Sequence, residues 1–153
     1  MEAEPKKPKL IVRIATPQDL KKATENPFWM WLGKPRPAHS KERIAIIALE
    51  QKDIVGGCTV DINLNKQNKA DIHSLAVEDC FRGTGIGHKL LGKAHSCLLK
   101  KGIISAKVFS RNVNLDFYGK AGYKAKRILP QGSAVLYRKI TRAKNMRMKR
   151  VLG

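Results

Sequence analysis

Apolar positions along this chain switch between a period of two and a period near 3.6, and the switches lay out alternating strands and helices. Leu10 to Ile14 reads as a β-branched strand, and Thr16-Pro17 supplies an N-cap followed by proline in the first turn of a helix over about Pro17 to Glu25. Ile44 to Leu49 and Ile54 to Ile62 are strand-length apolar runs joined by the polar turn Glu50-Gln51-Lys52-Asp53. A second polar turn, Asn63 to Lys69, leads into a strand over Ala70 to Val77. Ile86, Leu90, Leu91, Ala94, Cys97 and Leu98 then recur at helical spacing, predicting an amphipathic helix over Gly85 to Lys101 that Gly102 ends. Ile103 to Phe109 is a further strand, about Asn114 to Ala121 a short helix, and Tyr123 to Arg127 and Ala134 to Ile140 are the last strands. The stretch Asn26 to Pro37 is broken by prolines yet rich in large apolar residues, so it reads as a packed loop or a broken short helix.

No internal repeat interrupts this order, and 153 residues with 42% hydrophobic content suffice for one core. The expected organisation is a folded domain over 10–140, a flexible basic segment over 1–9 and a basic tail over 141–153. The longest apolar run, Ile44 to Leu49, falls far short of the ~18 residues of a membrane span. The first residues lack the apolar core of a signal peptide, and Glu2 and Glu4 argue against an Arg-rich transit peptide. Cys58, Cys80 and Cys97 have no pairing spacing, which suits a reducing, cytoplasm-like compartment. His39, His73, His88 and His95 make no metal-ligand spacing with them, so no metal is expected.

Charge is divided unevenly. Through Asp79 thirteen Lys/Arg nearly balance eleven Asp/Glu, whereas from Cys80 onward eighteen bases face the single acid Asp116, placing +17 of the total +19 there. Seven of those bases fall between Arg138 and Arg150. Such a segment cannot be neutralised internally and seeks a polyanion, with RNA or a ribonucleoprotein surface favoured over DNA or a merely solvated basic face. The same field repels a free polycationic substrate over a Debye length of ~8 Å.

The chemistry concentrates in Leu75-Ala76-Val77-Glu78-Asp79-Cys80-Phe81-Arg82-Gly83-Thr84-Gly85-Ile86-Gly87, where a strand runs into a glycine loop and then a helix. Unpaired N–H groups and the positive helix end make that junction a trap for phosphate or pyrophosphate. A Walker-type loop is excluded because His88 stands five residues after Gly83 where Gly-Lys is required. A dinucleotide fingerprint is excluded by the G-x-G-x-G spacing and by the absence of an acid in Ile103 to Phe109. Arg-x-x-Gly-x-Gly, Arg82 through Gly87, resembles instead the pyrophosphate loop of the GNAT superfamily of acyl-CoA-dependent N-acetyltransferases. Asn112-Val113-Asn114-Leu115-Asp116-Phe117-Tyr118-Gly119-Lys120-Ala121-Gly122-Tyr123 is similar to that family's downstream segment, and Ile11 to Leu20 to its first strand and helix cap.

The resemblance spans roughly residues 10–140 and implies an α/β fold with a mixed, mostly antiparallel central sheet flanked by helices, and acetyl-CoA as acyl donor. It further implies that the backbone of Leu75, Ala76 and Val77 pairs with the pantetheine and holds the acetyl carbonyl. Arg82 and the N–H groups of Gly83, Thr84, Gly85, Ile86 and Gly87 would hold the pyrophosphate. Asn112 would bond the pantetheine, although it lies one residue nearer the Phe-Tyr pair than in many relatives. Lys120 would reach the 3′-phosphate, and Tyr118 would protonate the departing thiolate.

The general base is less well marked. Asp71 stands eleven residues before Arg82, where some relatives carry a glutamate, and is one methylene shorter; the alternative position falls on Lys107, a cation. By strict alternation Asp71 and His73 share a strand face, and either would act directly or through water; an amine arriving neutral needs neither. Phe28-Trp29-Met30-Trp31 leaves three roles open: a wall of the acceptor pocket, a homodimer contact, or core packing. The functional reading is N-acetyl transfer to an amine presented on RNA or a ribonucleoprotein, such as an aminoacyl-tRNA, a protein N-terminus or a lysine. Its alternatives are a tRNA-acetylating toxin of the same superfamily and a non-catalytic RNA- or ribosome-associated protein.

Overall fold

The computed structural model describes residues 9–111 and 114–140. The expectations for the first eight residues, for Asn112 and for the tail 141–153 lie outside them. In chain order the elements are β1 (Leu10–Ile14), α1 (Pro17–Ala23), a 3-10 turn (Met30–Gly33), β2 (Ser40–Glu50), β3 (Asp53–Asn63) and β4 (Lys69–Val77). A second 3-10 turn (Asp79–Phe81) comes next, then α2 (Ile86–Lys100), β5 (Ser105–Ser110), α3 (Leu115–Lys120), β6 (Lys124–Ile128) and β7 (Ala134–Lys139). One seven-stranded sheet has the order β1-β2-β3-β4-β5-β7-β6, and every neighbouring pair is antiparallel except β4–β5.

Local chemistry explains the boundaries. Thr16 caps α1 by accepting from the Asp19 N–H at 3.1 Å while the Asp19 carboxylate accepts from the Thr16 N–H at 2.8 Å, with Pro17 at the first helical position. β2 and β3 outrun their apolar stretches because a paired polar face continues the ladder. The Arg43 guanidinium donates to both Asp61 oxygens, at 2.8 and 2.7 Å, across paired positions.

Two cores lie on opposite faces of the sheet. The larger packs α2, through Ile86, Leu90, Leu91, Ala94 and Leu98, against Ile46, Cys58, Val60, Ile72, Val108 and Leu136. The smaller sets Ala23, Trp29 and Leu32 on Ile47 and Leu49, so Trp29 belongs to the core while Phe28 and Met30 stay half exposed. The adjacent glycines of β3 let both layers approach: a Cβ on Gly56 would lie 3.0 Å from Leu90, and one on Gly57 2.8 Å from Leu32.

β4 departs from a regular strand in two ways. Thr59 pairs with Ser74 and Val60 with Ile72, leaving His73 as a bulge. The bulge shifts the phase of the strand: Leu75 and Val77 join Ala70 and Ile72 in the α2 core, whereas strict alternation would place them on the Asp71 face. In addition, β4 keeps β3 as a partner through Val77 but loses β5 after Ile72–Val108, so the two parallel strands splay.

Candidate active site

The splay opens onto a cleft of about 580 Å³ lined by Leu75, Ala76, Val77, Phe81, Arg82, Gly83, Gly85 to His88, Asn114, Phe117, Tyr118 and Lys120. One wall is the freed edge of β4, whose β5-facing N–H and C=O groups beyond Ile72 have no partner strand among the described residues. The mouth is the glycine loop. Gly83 and Gly85 adopt φ of +81° and +88°, conformations that L side chains rarely reach, and Gly85 is the N-cap of the 15-residue α2. That geometry aims the first N–H groups of α2 at the cleft with no Cβ intervening. Arg82 stands beside them, exposed and only loosely paired with Asp79 at 3.2 Å, so its guanidinium is available to an anion. The Thr84 hydroxyl donates back to the Phe81 carbonyl, so its side chain closes the loop and does not line the cleft.

α3 forms the opposite wall. Tyr118 is buried and packs edge-on against Phe117 at 5.0 Å and Tyr123 at 5.7 Å. Burial, with Cys58 nearby, pushes its phenol up to about 12, so it carries its proton at any ordinary pH. Beneath it, His95 Nε2 lies 2.7 Å from the Tyr123 hydroxyl, and Nδ1 accepts from Arg138. An arginine can only donate, so the neutral ring keeps its hydrogen on Nε2 and donates to Tyr123. Burial and the Arg138 charge lower His95 to about 4.

The structure thus brings together Leu75 to Val77, Arg82, the glycine loop, Tyr118 and Lys120. It does not bring Asp71 into the cleft. Asp71 lies on the opposite sheet face, 3.6 Å from the Lys107 ammonium, with Oδ1 buried and without a hydrogen-bond partner among the described residues. Its place in the strand is nonetheless close to the opening, one residue before the last pair joining β4 to β5. Three cleft residues were not singled out by the sequence: His88, whose ring lies 4.5 Å from that of Phe117, Phe117 itself, and Asn114, the N-cap of α3. The helical spacing of His88, one turn into a helix after a glycine loop, was the available signal. Among the described residues no cluster of His, Cys, Asp or Glu is placed to hold a metal ion, and no helix is long and apolar enough to cross a membrane.

A sheet split beside an N-terminal anion trap and a protonated phenol defines a known class of domain. The profile of the acetyltransferase (GNAT) domain family matches residues 41–125, more than half of the chain, and the chain belongs to that family. It is 37% identical over 71 residues to an uncharacterized N-acetyltransferase of Chlorobaculum tepidum, a match covering 46% of this chain and 43% of that protein. The match thus spans less than half the length of this curated relative. Among solved structures, PaiA N-acetyltransferase from Thermoplasma acidophilum in complex with coenzyme A superposes with a TM-score of 0.65 at 20% identity, covering 86% of this chain and 99% of that one. The ribosomal-protein-S18-alanine N-acetyltransferase from Escherichia coli gives 0.66 at 14% identity, covering 88% and 96%. At these identities the likeness is one of fold.

Proposed function

We propose that the protein is an acetyl-CoA-dependent N-acetyltransferase whose acceptor amine is presented on RNA or on a ribonucleoprotein. The observation that carries the transfer reading is the conjunction, in one cleft, of a freed strand edge, an anion cradle and a buried protonated phenol. These residues fit coenzyme A. The unpaired β4 edge suits the amides of pantetheine, the N–H groups from Gly83 to Gly87 with Arg82 suit the pyrophosphate, and Lys120 at the rim suits the 3′-phosphate. Acetyl-CoA supplies a thioester carbonyl open to attack by an amine. Around it, the backbone of Leu75 to Val77 stabilises negative charge on the carbonyl oxygen, and Tyr118 gives its proton to the leaving thiolate. Asp71 lies on the other sheet face with Lys107, so the amine enters neutral, as an α-amino group with an unperturbed pKa of ~8 can.

The choice of acceptor rests on charge. Eighteen bases against one acid beyond Cys80 far exceed what one coenzyme requires. An amine carried on an acidic scaffold is drawn to such a body, and a free polyamine is repelled.

The test is calorimetric titration of nucleic-acid-free protein with acetyl-CoA and CoA, beside an Arg82→Ala, Gly85→Asp double variant. Saturable binding that the variant loses is the expected result. Absence of binding by the unaltered protein would overturn the transfer reading.

A further inference from the structure

One half of the sheet face opposite α2 is bare among the described residues. α1 and the Met30–Gly33 turn cover β2 and β3 and reach β4 only at Ala76; no residue of β5, β6 or β7 joins that smaller core. The register shows which side chains occupy the bare half. Ala106, Val108, Ala134 and Leu136 point into the α2 core, so their alternating neighbours Lys107 and Phe109 on β5, and Val135, Tyr137 and Lys139 on β7, face the other way. Lys124 and Arg127 on β6 pair with Tyr137 and Val135 and share that face. Lys126, at the irregularity between them, holds its ammonium 5.0 Å from the centroid of the Tyr137 ring.

The surface is therefore basic and aromatic at once. β5, β6 and β7 contain no acid, and Asp71 on the neighbouring β4 is engaged by Lys107. Phe109 is 60% exposed, an unusual place for a phenylalanine with no described partner on that face. It also lies beyond Val108, on the stretch of β5 that has parted from β4, so its ring stands at the rim of the splay.

We infer that this face binds single-stranded RNA and delivers its end to the cleft. A sheet face with a free aromatic ring stacks an unpaired base, and cations at strand spacing meet the phosphates on either side. A duplex would offer such a face only phosphates and leave Phe109 in water. An acidic protein would pair with the lysines without using the ring. At the same rim the exposed His73–Ser74 pair, joined at 2.9 Å, supplies donor and acceptor groups of the kind that read a 2′-hydroxyl. This inference deepens the acceptor half of the proposed function and rests on it, but not on catalysis.

The experiment is fluorescence anisotropy with a labelled single-stranded oligoribonucleotide, run on the full chain. Phe109→Ala leaves both cores intact and should weaken binding by about tenfold, with acetyl-CoA titration and melting temperature unchanged. Lys126→Ala with Arg127→Ala should lower the slope of log affinity against log salt by about 1.4. Equal affinity of Phe109→Ala and the unaltered protein would overturn the inference. So would equal affinity for duplex RNA, for DNA of the same sequence, for heparin or for an acidic peptide. RNA binding with no acetyl-CoA binding would instead sink the transfer reading and leave this one standing.

Discussion

Gly87 on α2 and Phe117 on α3 meet so closely that a Cβ on the glycine would lie 2.8 and 2.9 Å from the phenylalanine ring. Both line the cleft, so this contact sets its width where the anion trap gives way to the proton donor. Gly87→Ala should push the ring into the cleft at a cost of about 1–3 kcal/mol. The expected outcome in calorimetry is weakened CoA binding with the fold retained. Unchanged affinity would mean that Phe117 yields elsewhere.

Tyr118→Phe removes the phenolic proton while keeping the ring packing against Phe117 and Tyr123. CoA affinity should hold, and the rate of acetyl transfer should fall roughly 10²–10⁴-fold. Because burial pushes this phenol up to about 12, the unaltered protein should show no alkaline fall in transfer rate below about pH 10. A fall near pH 9 would point to a different acid.

His95 should make the protein sensitive to mild acid. Its folded value of about 4 lies below the usual 6.5, so between those values the unfolded chain takes up a proton that the native state refuses. Stability from this residue is therefore full above about pH 6.5 and declines as pH falls toward 4, by on the order of 3 kcal/mol. Thermal melts at pH 7.5 and 5 should show about 2 kcal/mol of that loss, and His95→Gln should flatten it.

Asp61 is fully buried beneath the partly buried Arg43, and breaking their pair is costly. Burial pushes the Asp61 carboxyl up, but the Arg43 hydrogen bonds and charge outweigh it and hold the group below the usual carboxylate range. Arg43→Ala strands that carboxylate and should cost about 3–5 kcal/mol at neutral pH. The deficit should shrink in acid, where protonation relieves Asp61. Replacing both partners by apolar residues should recover most of it, as denaturant titration would show.

Much of the site was legible because glycine loops and short aromatic helices are local structures. Gly83, Gly85 and Gly87 could be placed at the mouth of α2 from their spacing alone, and Tyr118 on a short helix from its neighbours. Lys126 and Phe109 were not legible as a surface, since their common face depends on the register of three strands distant in sequence. The Asp71 assignment suffered in the same way. Period-two alternation could be drawn along β4, but the bulge at His73 resets the phase, and a bulge is settled by pairing with Thr59 and Val60.

Hydrophobic periodicity, capping residues and glycine placement are properties of neighbouring residues, so the order of strands and helices, the anion trap and the lopsided charge follow from the primary structure alone. Where β4 and β5 part, which residues line the resulting cleft, and which half of the sheet stays bare depend on contacts between distant segments. Leu32 docking on Gly57, α2 on Gly56 and Arg43 on Asp61 are such contacts. Packing and pairing in three dimensions make those choices, through contacts that no local pattern encodes.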